Sequence, residues 1–316
     1  GVSPATVSRV MNGTANVNEE KRKRVEAAIQ ETGFKPNELA RALYKKSSKM
    51  IGMIVPDIEN PFFSELAKAV EDTAYQNGYR ILLCSSGGDE EKEAVNIQMF
   101  NQLRADGIVV MTNCAETGEL LADCPIPVVL VDRKLDGFKE NALIVAVNYK
   151  GGCLAAEHLV KCGCKNIVCM KEPTGYSSGR RRYEGYLDVC KKYNLKEQSV
   201  DCCYNYESGL RAAEEILKKY PEVDGVVAGN DIVAMSVYKV FTRHGKKIPQ
   251  EVQLVGFDDV GFGELFIPEL TTIHQPIKEM GHLAAEIILK AVNGEPYEKK
   301  NVFDVKLIER ETTKKQ

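Results

Sequence analysis

The pattern of apolar and polar residues changes near Met50. Before it, apolar side chains recur at helical spacing in short segments, for example Val7, Val10 and Met11. After it, short and nearly continuous apolar runs alternate with longer amphipathic segments. Such runs are typical of parallel strands buried on both faces, and the amphipathic segments are typical of the helices that cover them. The pattern therefore predicts a small all-helical region followed by an α/β body.

The order of elements in the body predicts two similar lobes. The predicted strands are Ile51–Val55, Ile81–Cys84, Gly107–Met111, Val128–Asp132, Leu143–Val147, Ile167–Met170, Gly225–Ala228, Leu254–Phe257 and one around Val302–Ile308. The predicted helices are Phe62–Gln76, Glu90–Leu103, a short one after Glu116, Gly151–Lys161, Arg180–Lys192, Ser208–Lys219, Ile232–His244 and Lys278–Val292. Two successive sets of strands and helices indicate two doubly wound parallel-sheet lobes. We expect lobe 1 to comprise about 50–148 and 277–293, and lobe 2 about 149–275 and 294–316.

The region before Met50 predicts three short helices. Ser3 is a suitable N-cap, Pro4 suits the first helical position, and Asn12-Gly13 ends the helix. A second helix follows from Asn18 to Gly33. A third runs from residue 37 into a basic linker that ends at residue 49. We therefore divide this region into a helical segment, 1–36, and a short helix with linker, 37–49.

The charge distribution separates the two regions. Residues 1–49 have a net charge of +5 and the remainder −8, within a chain of 316 residues that is 28% charged. A small basic region on an acidic body indicates a polyanionic partner for the basic part. A solvated helix face over Lys21–Arg24 explains the same charges, and composition alone does not decide between these two interpretations.

Several classes of protein are excluded by composition and motifs. The longest apolar runs are too short to span a bilayer, and the N-terminus lacks a signal-peptide core, so we expect a cytoplasmic protein with no membrane partner. Most of the ten cysteines lie in apolar runs, which favours buried free thiols over a zinc site at Cys162, Cys164 and Cys169. Sequence motifs of phosphate loops, hydrolases and metalloproteases are absent. We expect no enzyme activity, no metal and no cofactor.

The first thirteen residues, GVSPATVSRVMNG, form the most specific motif in the chain. A DNA-recognition helix needs an apolar inner face and small polar or basic residues outside, and this segment has both. The motif resembles the signature of the LacI/GalR family of transcription regulators. The stretches VNEEKRKRV (17–25) and GFKPNELARAL (33–43) resemble the third headpiece helix and the hinge of that family. The chain begins inside the motif, so we expect the first helix of the helix-turn-helix to be missing.

The family resemblance implies how the headpiece contacts operator DNA. Pro4, Ala5 and Arg9 correspond to base-reading positions, and Thr6, Ser8 and Asn12 to positions that face phosphates. Leu43 corresponds to the residue that enters the minor groove, although it is equally suited to a buried place in the hinge helix. The residues expected to bind DNA are Ser3, Pro4, Ala5, Thr6, Ser8, Arg9, Asn12, Asn37 and Leu43.

Polar residues in the body cluster at predicted strand ends. Asn60, Asp132, Asn230 and Asp258 lie at or just beyond the carboxyl ends of strands. Open parallel sheets bind ligands at this edge. Carboxylates, amides, arginines and aromatic faces together suit a small polyol. A turn at Asn60-Pro61 is the simpler structural interpretation of that segment.

The body also resembles the sugar-binding core of the LacI/GalR family, which shares its fold with periplasmic sugar-binding proteins. The matching blocks are VPDIENPFF (55–63), VDR (131–133), RYEGY (182–186), GND (229–231), GFDD (256–259) and TTIHQP (271–276). The resemblance implies an effector site that matches ribose-binding proteins, so we expect a pentose, with hexoses as competitors. The expected effector-binding residues are Asn60, Phe62, Phe63, Asp132, Arg133, Arg182, Tyr204, Asn230, Asp258 and Gln275.

Other residues in these blocks have structural interpretations. We expect Asp231 and Asp259 to be helix N-caps and His274 to be a structural histidine. Asn148 stands where many relatives carry Asp, which leaves the crossover near Tyr149 open.

Together these features predict a homodimeric repressor that binds a palindromic operator and responds to a sugar. Two alternatives stay open. A regulator of this family controlled by a phosphocarrier protein has the same architecture but does not need the ring of polar residues. A sugar-binding transport protein shares the body but lacks the basic N-terminal motif.

Overall fold

A computed structural model of the protein describes residues 2–11, 17–34, 47–114, 117–122, 124–135, 142–172 and 177–315. The chain divides into two compact units, residues 1–48 and 49–316. The predicted third helix lies outside the described residues, as do the predicted DNA-contacting Asn12, Asn37 and Leu43.

The first unit contains two helices, α1 (Pro4–Met11) and α2 (Glu19–Thr32). Ser3 precedes α1, and its Oγ accepts a hydrogen bond from the Thr6 backbone N–H at 3.3 Å. Asn18 caps α2, since its side chain accepts from the Glu20 N–H at 2.9 Å. Helix α2 ends at Gly33, whose φ of 61° is left-handed and suits glycine. These caps confirm the predicted start of both helices and the predicted end of α2, whereas the predicted end of the first helix at Asn12-Gly13 lies outside the described residues.

In the second unit, lobe 1 is built on a six-stranded parallel sheet with the order β11-β5-β4-β3-β1-β2. Its strands are β1 (Met50–Val55), β2 (Arg80–Ser85), β3 (Gly107–Val110), β4 (Val128–Val131), β5 (Ala142–Ala146) and β11 (Lys300–Phe303). Its helices are α3 (Pro61–Gln76), α4 (Glu90–Gln102), α5 (Thr117–Ala122) and α11 (Ile277–Asn293). Apolar clusters fill both faces of this sheet, with α3 and α11 on one face and α4 and α5 on the other.

Lobe 2 is built on a second six-stranded sheet with the order β12-β10-β9-β8-β6-β7. Its strands are β6 (Ile167–Lys171), β7 (Ser199–Asp201), β8 (Gly225–Val227), β9 (Gln253–Asp258), β10 (Thr272–His274) and β12 (Lys306–Ile308). Its helices are α6 (Asn148–Lys161), α7 (Ser177–Lys192), α8 (Tyr206–Lys219), α9 (Asp231–Arg243) and α10 (Phe262–Leu265). Two apolar clusters again cover both faces. The predicted fold of two doubly wound lobes is confirmed.

The chain passes between the lobes three times: after β5, after β10 and after β11. The expectation that residues 294–316 belong to lobe 2 is wrong for β11, because this strand pairs with β5 in lobe 1. The single strand predicted around Val302–Ile308 is therefore two strands in different sheets. β12 runs antiparallel to β10, because the chain enters lobe 2 at the edge where the parallel strands end.

Within the described part of the chain, none of the helices has the length and apolar composition that a membrane span requires.

Candidate functional site

A cavity of about 350 Å³ lies where the strand ends of the two lobes face each other, and we call it the interlobe cavity. All the predicted effector-binding residues except Gln275 line it. The lining residues are Pro56, Asp57, Asn60, Phe62, Phe63, Ser85, Gly87, Asn113, Asp132, Arg133, Glu172, Ser178, Arg182, Cys203, Tyr204, Asn205, Asn230 and Asp258. Its volume is in the range of small-molecule sites.

Lobe 1 contributes an aromatic wall at the start of α3. Asn60 caps this helix by accepting from the Phe62 N–H at 3.1 Å, and it also lines the interlobe cavity. The structural and the cavity-lining interpretations of Asn60 therefore both hold. Phe62 and Phe63 form an edge-to-face pair with ring centroids 5.2 Å apart. Such rings can cover the apolar C–H face of a ligand.

A buried aspartate–arginine pair follows β4. Asp132 has a φ of 72°, a strained value for a residue other than glycine. Its Oδ2 lies 3.3 Å from Arg133 Nε and 3.5 Å from Ser178 Oγ, the latter in lobe 2. The strained backbone turns both side chains toward the interlobe cavity, which is a common arrangement at functional sites.

Arg182 is held rigidly on the lobe 2 side. Its Nε donates to Asn148 Oδ1 and its Nη1 to the Gly229 carbonyl, both at 2.7 Å. The guanidinium carbon lies 3.6 Å from the Phe257 ring centroid, and Nη2 lies 3.6 Å from Asp258 Oδ1. Asn148 thus serves as a neutral acceptor, and the crossover that the sequence left open is formed between β5 and α6. The arginine is preorganised for a ligand.

The position of Arg182 depends on close contact between helices α6 and α7. A Cβ atom at Gly152 would overlap the backbone of Arg182, and one at Gly185 would overlap the Tyr149 carbonyl. These two glycines let the helix backbones touch. The contact sets how far Arg182 extends into the interlobe cavity.

Asp258 ends β9 and is a buried acid of the cavity. It has a φ of 109°, and its Oδ1 accepts from Gln275 Nε2 at 2.7 Å. Burial raises the pKa of Asp258 to about 7; Arg182 opposes the rise and the nearby Asp132 adds to it. Gln275 does not line the cavity but lies behind Asp258, so it supports that carboxylate.

The raised pKa predicts how Asp258 affects stability. Between the ordinary value of 3.8 and about 7, the folded protein binds a proton that the unfolded chain has released. Stability from this group is therefore highest below pH 4 and decreases as the pH rises to 7. We expect the unfolding free energy of the wild type, relative to Asp258→Asn, to fall across this window. The upper limit is about 4 kcal/mol, because one pKa unit corresponds to about 1.4 kcal/mol. Urea unfolding at several pH values measures this difference, and a constant difference would contradict the expectation.

Asn230 and Tyr204 are two further residues of the lobe 2 wall. Asn230 Oδ1 caps α9 by accepting from the Val233 N–H at 2.9 Å, and its Nδ2 donates to the Tyr204 carbonyl at 3.1 Å. A Cβ at Gly229 would overlap the Tyr204 ring, so this glycine lets the ring lie close to the backbone. Burial raises the pKa of Tyr204, which keeps its hydroxyl neutral.

The expected capping roles of Asp231 and Asp259 are wrong. Asn230 caps α9, whereas Asp231 accepts from Thr272 Oγ1 at 2.5 Å and from the Val260 N–H at 2.9 Å. Asp259 pairs with Arg310 at 2.7 Å and with His274 Nδ1 at 2.8 Å. These contacts satisfy His274, as its structural interpretation requires.

Several cavity-lining residues were not predicted from the sequence. They are Pro56, Asp57, Ser85, Gly87, Asn113, Glu172, Ser178, Cys203 and Asn205. Glu172 directly follows β6, so the strand-end rule that identified Asp132 also applies to it. Ser85 is the last residue of β2, so the same rule applies to it. The remaining residues lie in loops or at a helix start, where sequence spacing indicates no common direction.

Four buried side-chain oxygens have no hydrogen-bond partner within the described residues. They are Asn113 Oδ1, Asp132 Oδ1, Glu172 Oε2 and Gln275 Oε1. Three of them belong to residues that line the interlobe cavity, and the fourth lies directly behind it. Buried acceptors are normally paired, so a ligand rich in hydroxyl donors matches this site.

In the first unit, the two faces of α1 differ as predicted. Ala5, Ser8 and Arg9 are exposed, as is Ser3 before the helix. Val7 faces a groove that is also lined by Val25 and Ile29 of α2. The outer face therefore presents the small and basic side chains expected of a recognition helix.

Two family models match different parts of the chain. The model described as bacterial regulatory proteins, lacI family, matches residues 1–37. The model described as periplasmic binding proteins and sugar binding domain of LacI family matches residues 48–315. Together they cover the predicted headpiece and the whole two-lobed body.

Curated relatives align over nearly the full length. The ribose operon repressor of Halalkalibacterium halodurans is 37% identical over 315 residues, covering 99% of this chain and 94% of the relative. The HTH-type transcriptional repressor PurR of Serratia proteamaculans is 33% identical, with coverages of 98% and 93%.

Solved structures share the fold. A periplasmic binding protein/LacI transcriptional regulator from Alkaliphilus metalliredigens, complexed with D-xylulofuranose, is 34% identical with a TM-score of 0.77, covering 84% of this chain and 100% of that one. A LacI family regulator from Enterococcus faecalis V583 with bound ribose is 30% identical, with a TM-score of 0.73 and coverages of 84% and 98%. The lac repressor dimer bound to operator and the anti-inducer ONPF is 25% identical, with a TM-score of 0.87 and coverages of 99% and 96%.

Proposed function

The chain belongs to the LacI family of bacterial regulatory proteins, and we propose that it is a transcriptional repressor whose operator affinity is controlled by a ribose-like pentose. The observation that carries the proposal is the interlobe cavity, where buried acceptors, two arginines and an aromatic pair face one small volume. This set matches a hydroxyl-rich ring with one apolar face. The relative that is named a ribose operon repressor and the neighbour with bound ribose support a pentose over a hexose.

The two alternatives receive less support. A transport protein shares the body but does not need a DNA-binding headpiece, whereas residues 1–37 of this chain match the lacI family model. Control by a phosphocarrier protein requires an outer surface, whereas the unpartnered acceptors are buried at the interlobe cavity.

The mechanism we propose is a population shift between two arrangements of the lobes. A sugar that contacts Arg133 in lobe 1 and Arg182 in lobe 2 stabilises the arrangement in which both reach it. Two copies of the chain place two headpieces on a palindromic operator, because half-site spacing follows the twofold symmetry of the protein. The operator affinity then changes by the ratio of the sugar affinities of the two states. We propose that sugar binding lowers the operator affinity, so that the protein is released from the DNA.

The experiment that tests the proposal is a binding screen. D-ribose, D-xylose, L-arabinose, D-glucose and D-galactose are titrated into the protein, with thermal shift first and calorimetry for each positive. We expect D-ribose to bind more tightly than both hexoses. If none of these sugars binds, the proposed effector class is wrong.

Arg9 tests the DNA-binding part of the proposal. Arg9→Ala is expected to weaken specific operator binding by about 1–3 kcal/mol, roughly fivefold to 150-fold. The reason is the loss of a major-groove contact from the exposed face of α1. Arg243→Ala, on an exposed helix end of lobe 2, is the matched control. Wild-type affinity should also fall steeply with salt, since phosphate contacts release counterions. Undiminished sequence preference in Arg9→Ala, or a flat salt response, would contradict this role.

A further inference from the structure

A buried ion pair connects the two lobes across the interlobe cavity. Arg133 Nη2, from the loop after β4, lies 3.0 Å from Glu172 Oε1, from the loop after β6. Only 9% and 6% of the two side chains are exposed. A buried ion pair is stable only when its remaining polar atoms also find partners. The second carboxylate oxygen of Glu172, which does not contact Arg133, therefore also needs a hydrogen-bond partner.

That oxygen, Oε2, is buried and has no hydrogen-bond partner among the residues that the structure describes. Glu172 itself lines the interlobe cavity, so a ligand there lies within reach of the carboxylate. On its other side the oxygen packs against Gly179, where an added Cβ would overlap it. A buried acceptor without a partner destabilises the site, so a hydrogen-bond donor from the ligand would offset that penalty.

The charges around Glu172 indicate which kind of donor fits. The charged side chains lining the cavity that are at most 10% exposed are the acids Asp132, Glu172 and Asp258 and the bases Arg133 and Arg182. Burial raises the pKa of Glu172, although Arg133 and Arg182 oppose the rise. The acids outnumber the bases, so a neutral hydroxyl suits Oε2 and an anionic group does not.

We propose that Glu172 is a further effector-binding residue, whose Oε2 accepts a hydrogen bond from one hydroxyl of the sugar while Oε1 holds Arg133 across the cavity. The inference rests on the proposed function and adds a specificity-determining contact to it. One carboxylate then links ligand recognition to lobe closure, because the same group binds the sugar and the opposite lobe. A site built to pair a hydroxyl discriminates strongly against an analogue that lacks it.

The test is a cycle that combines Glu172→Ala with deoxy sugars. The affinities of D-ribose and of analogues lacking each hydroxyl in turn are measured by calorimetry for the wild type and the variant. In the wild type, loss of the hydroxyl that Glu172 binds is expected to weaken affinity at least about tenfold. In Glu172→Ala the same loss should cost less than about threefold, since the contact is already absent. A purely structural role would lower the affinity for every sugar by the same factor.

Two further variants keep the result unambiguous. Gly179→Ala retains the glutamate but displaces its carboxylate, and it should show the same selective loss even if Glu172→Ala folds poorly. Glu184→Ala removes a half-buried carboxylate of α7 that pairs with Arg181 and does not line the cavity, and it should behave as the wild type. If D-ribose binds and no analogue shows coupling to either variant, the role of Glu172 is overturned and the proposed function stands. If no sugar binds the wild type, both fail.

Discussion

Replacing Asp258 with alanine is expected to lower the affinity for D-ribose by at least about thirtyfold, and by up to several thousandfold, while the protein stays folded. Asp258 is the buried carboxylate that faces Arg182, and its Oδ1 is held by Gln275. Removing one partner of a buried, hydrogen-bonded charge pair costs roughly 2–5 kcal/mol in binding. The alanine variant loses a ligand contact and also leaves the Arg182 guanidinium without its carboxylate. Calorimetric titration with D-ribose measures the effect.

The variant also tests the coupling between sugar and DNA. The Asp258→Ala protein should remain on the operator at sugar concentrations that release the wild type, because the sugar no longer distinguishes the two states. Asp188→Ala is a suitable control, since Asp188 is an exposed acid of the same lobe that pairs with Tyr149 and Lys191. Wild-type affinity for ribose in Asp258→Ala would remove this residue from the site.

Replacing Gly152 with valine is expected to destabilise the protein by about 3 kcal/mol or more, the upper part of the range for overpacked cores. Any Cβ at this position overlaps the backbone of Arg182, and backbone atoms cannot move aside as a flexible side chain can. Helices α6 and α7 would have to separate. Because Arg182 lies on α7, sugar affinity should fall together with stability.

The measurement is the midpoint of urea unfolding, combined with ribose titration of the folded fraction. Lys161→Val introduces the same β-branched residue at an exposed position of α6, so it controls for helix propensity. If Gly152→Val unfolds at the same midpoint as Lys161→Val, the close contact between α6 and α7 does not set the position of Arg182.

Much of the lobed body follows from local sequence. Nearly continuous apolar runs such as Ile51–Val55 are buried on both faces, so they predict parallel strands without knowledge of their neighbours. Two of the short strands were not predicted from the sequence. β7 and β10 have three residues each, and because polar residues flank them, no alternation of apolar and polar positions is recognisable there. They are strands because their neighbours in the sheet supply hydrogen-bond partners.

Some positions in the candidate site also follow from local sequence, whereas others depend on packing. Asn60, Asp132, Asn230 and Asp258 were predicted together because parallel strands end at one edge of a sheet, and the structure brings all four to the interlobe cavity. The displacement of Gln275 behind Asp258 depends on side-chain packing between β9 and the crossover after β10. The spacing of residues along the sequence does not indicate whether Gln275 lines the cavity or lies behind Asp258.

The sequence by itself determined the basic N-terminal helices, the two-lobed α/β body and the strand-end positions of the polar residues, because helical periodicity, apolar runs and capping residues act over short distances along the chain. Tertiary structure alone decided that β11 joins lobe 1, that Arg133 meets Glu172 across the cavity, and that Asp258 is buried deeply enough to titrate near pH 7. Each of these depends on how two distant segments are placed relative to each other. Such placement results from the packing of the whole molecule. Patterns of neighbouring residues in the sequence do not indicate it.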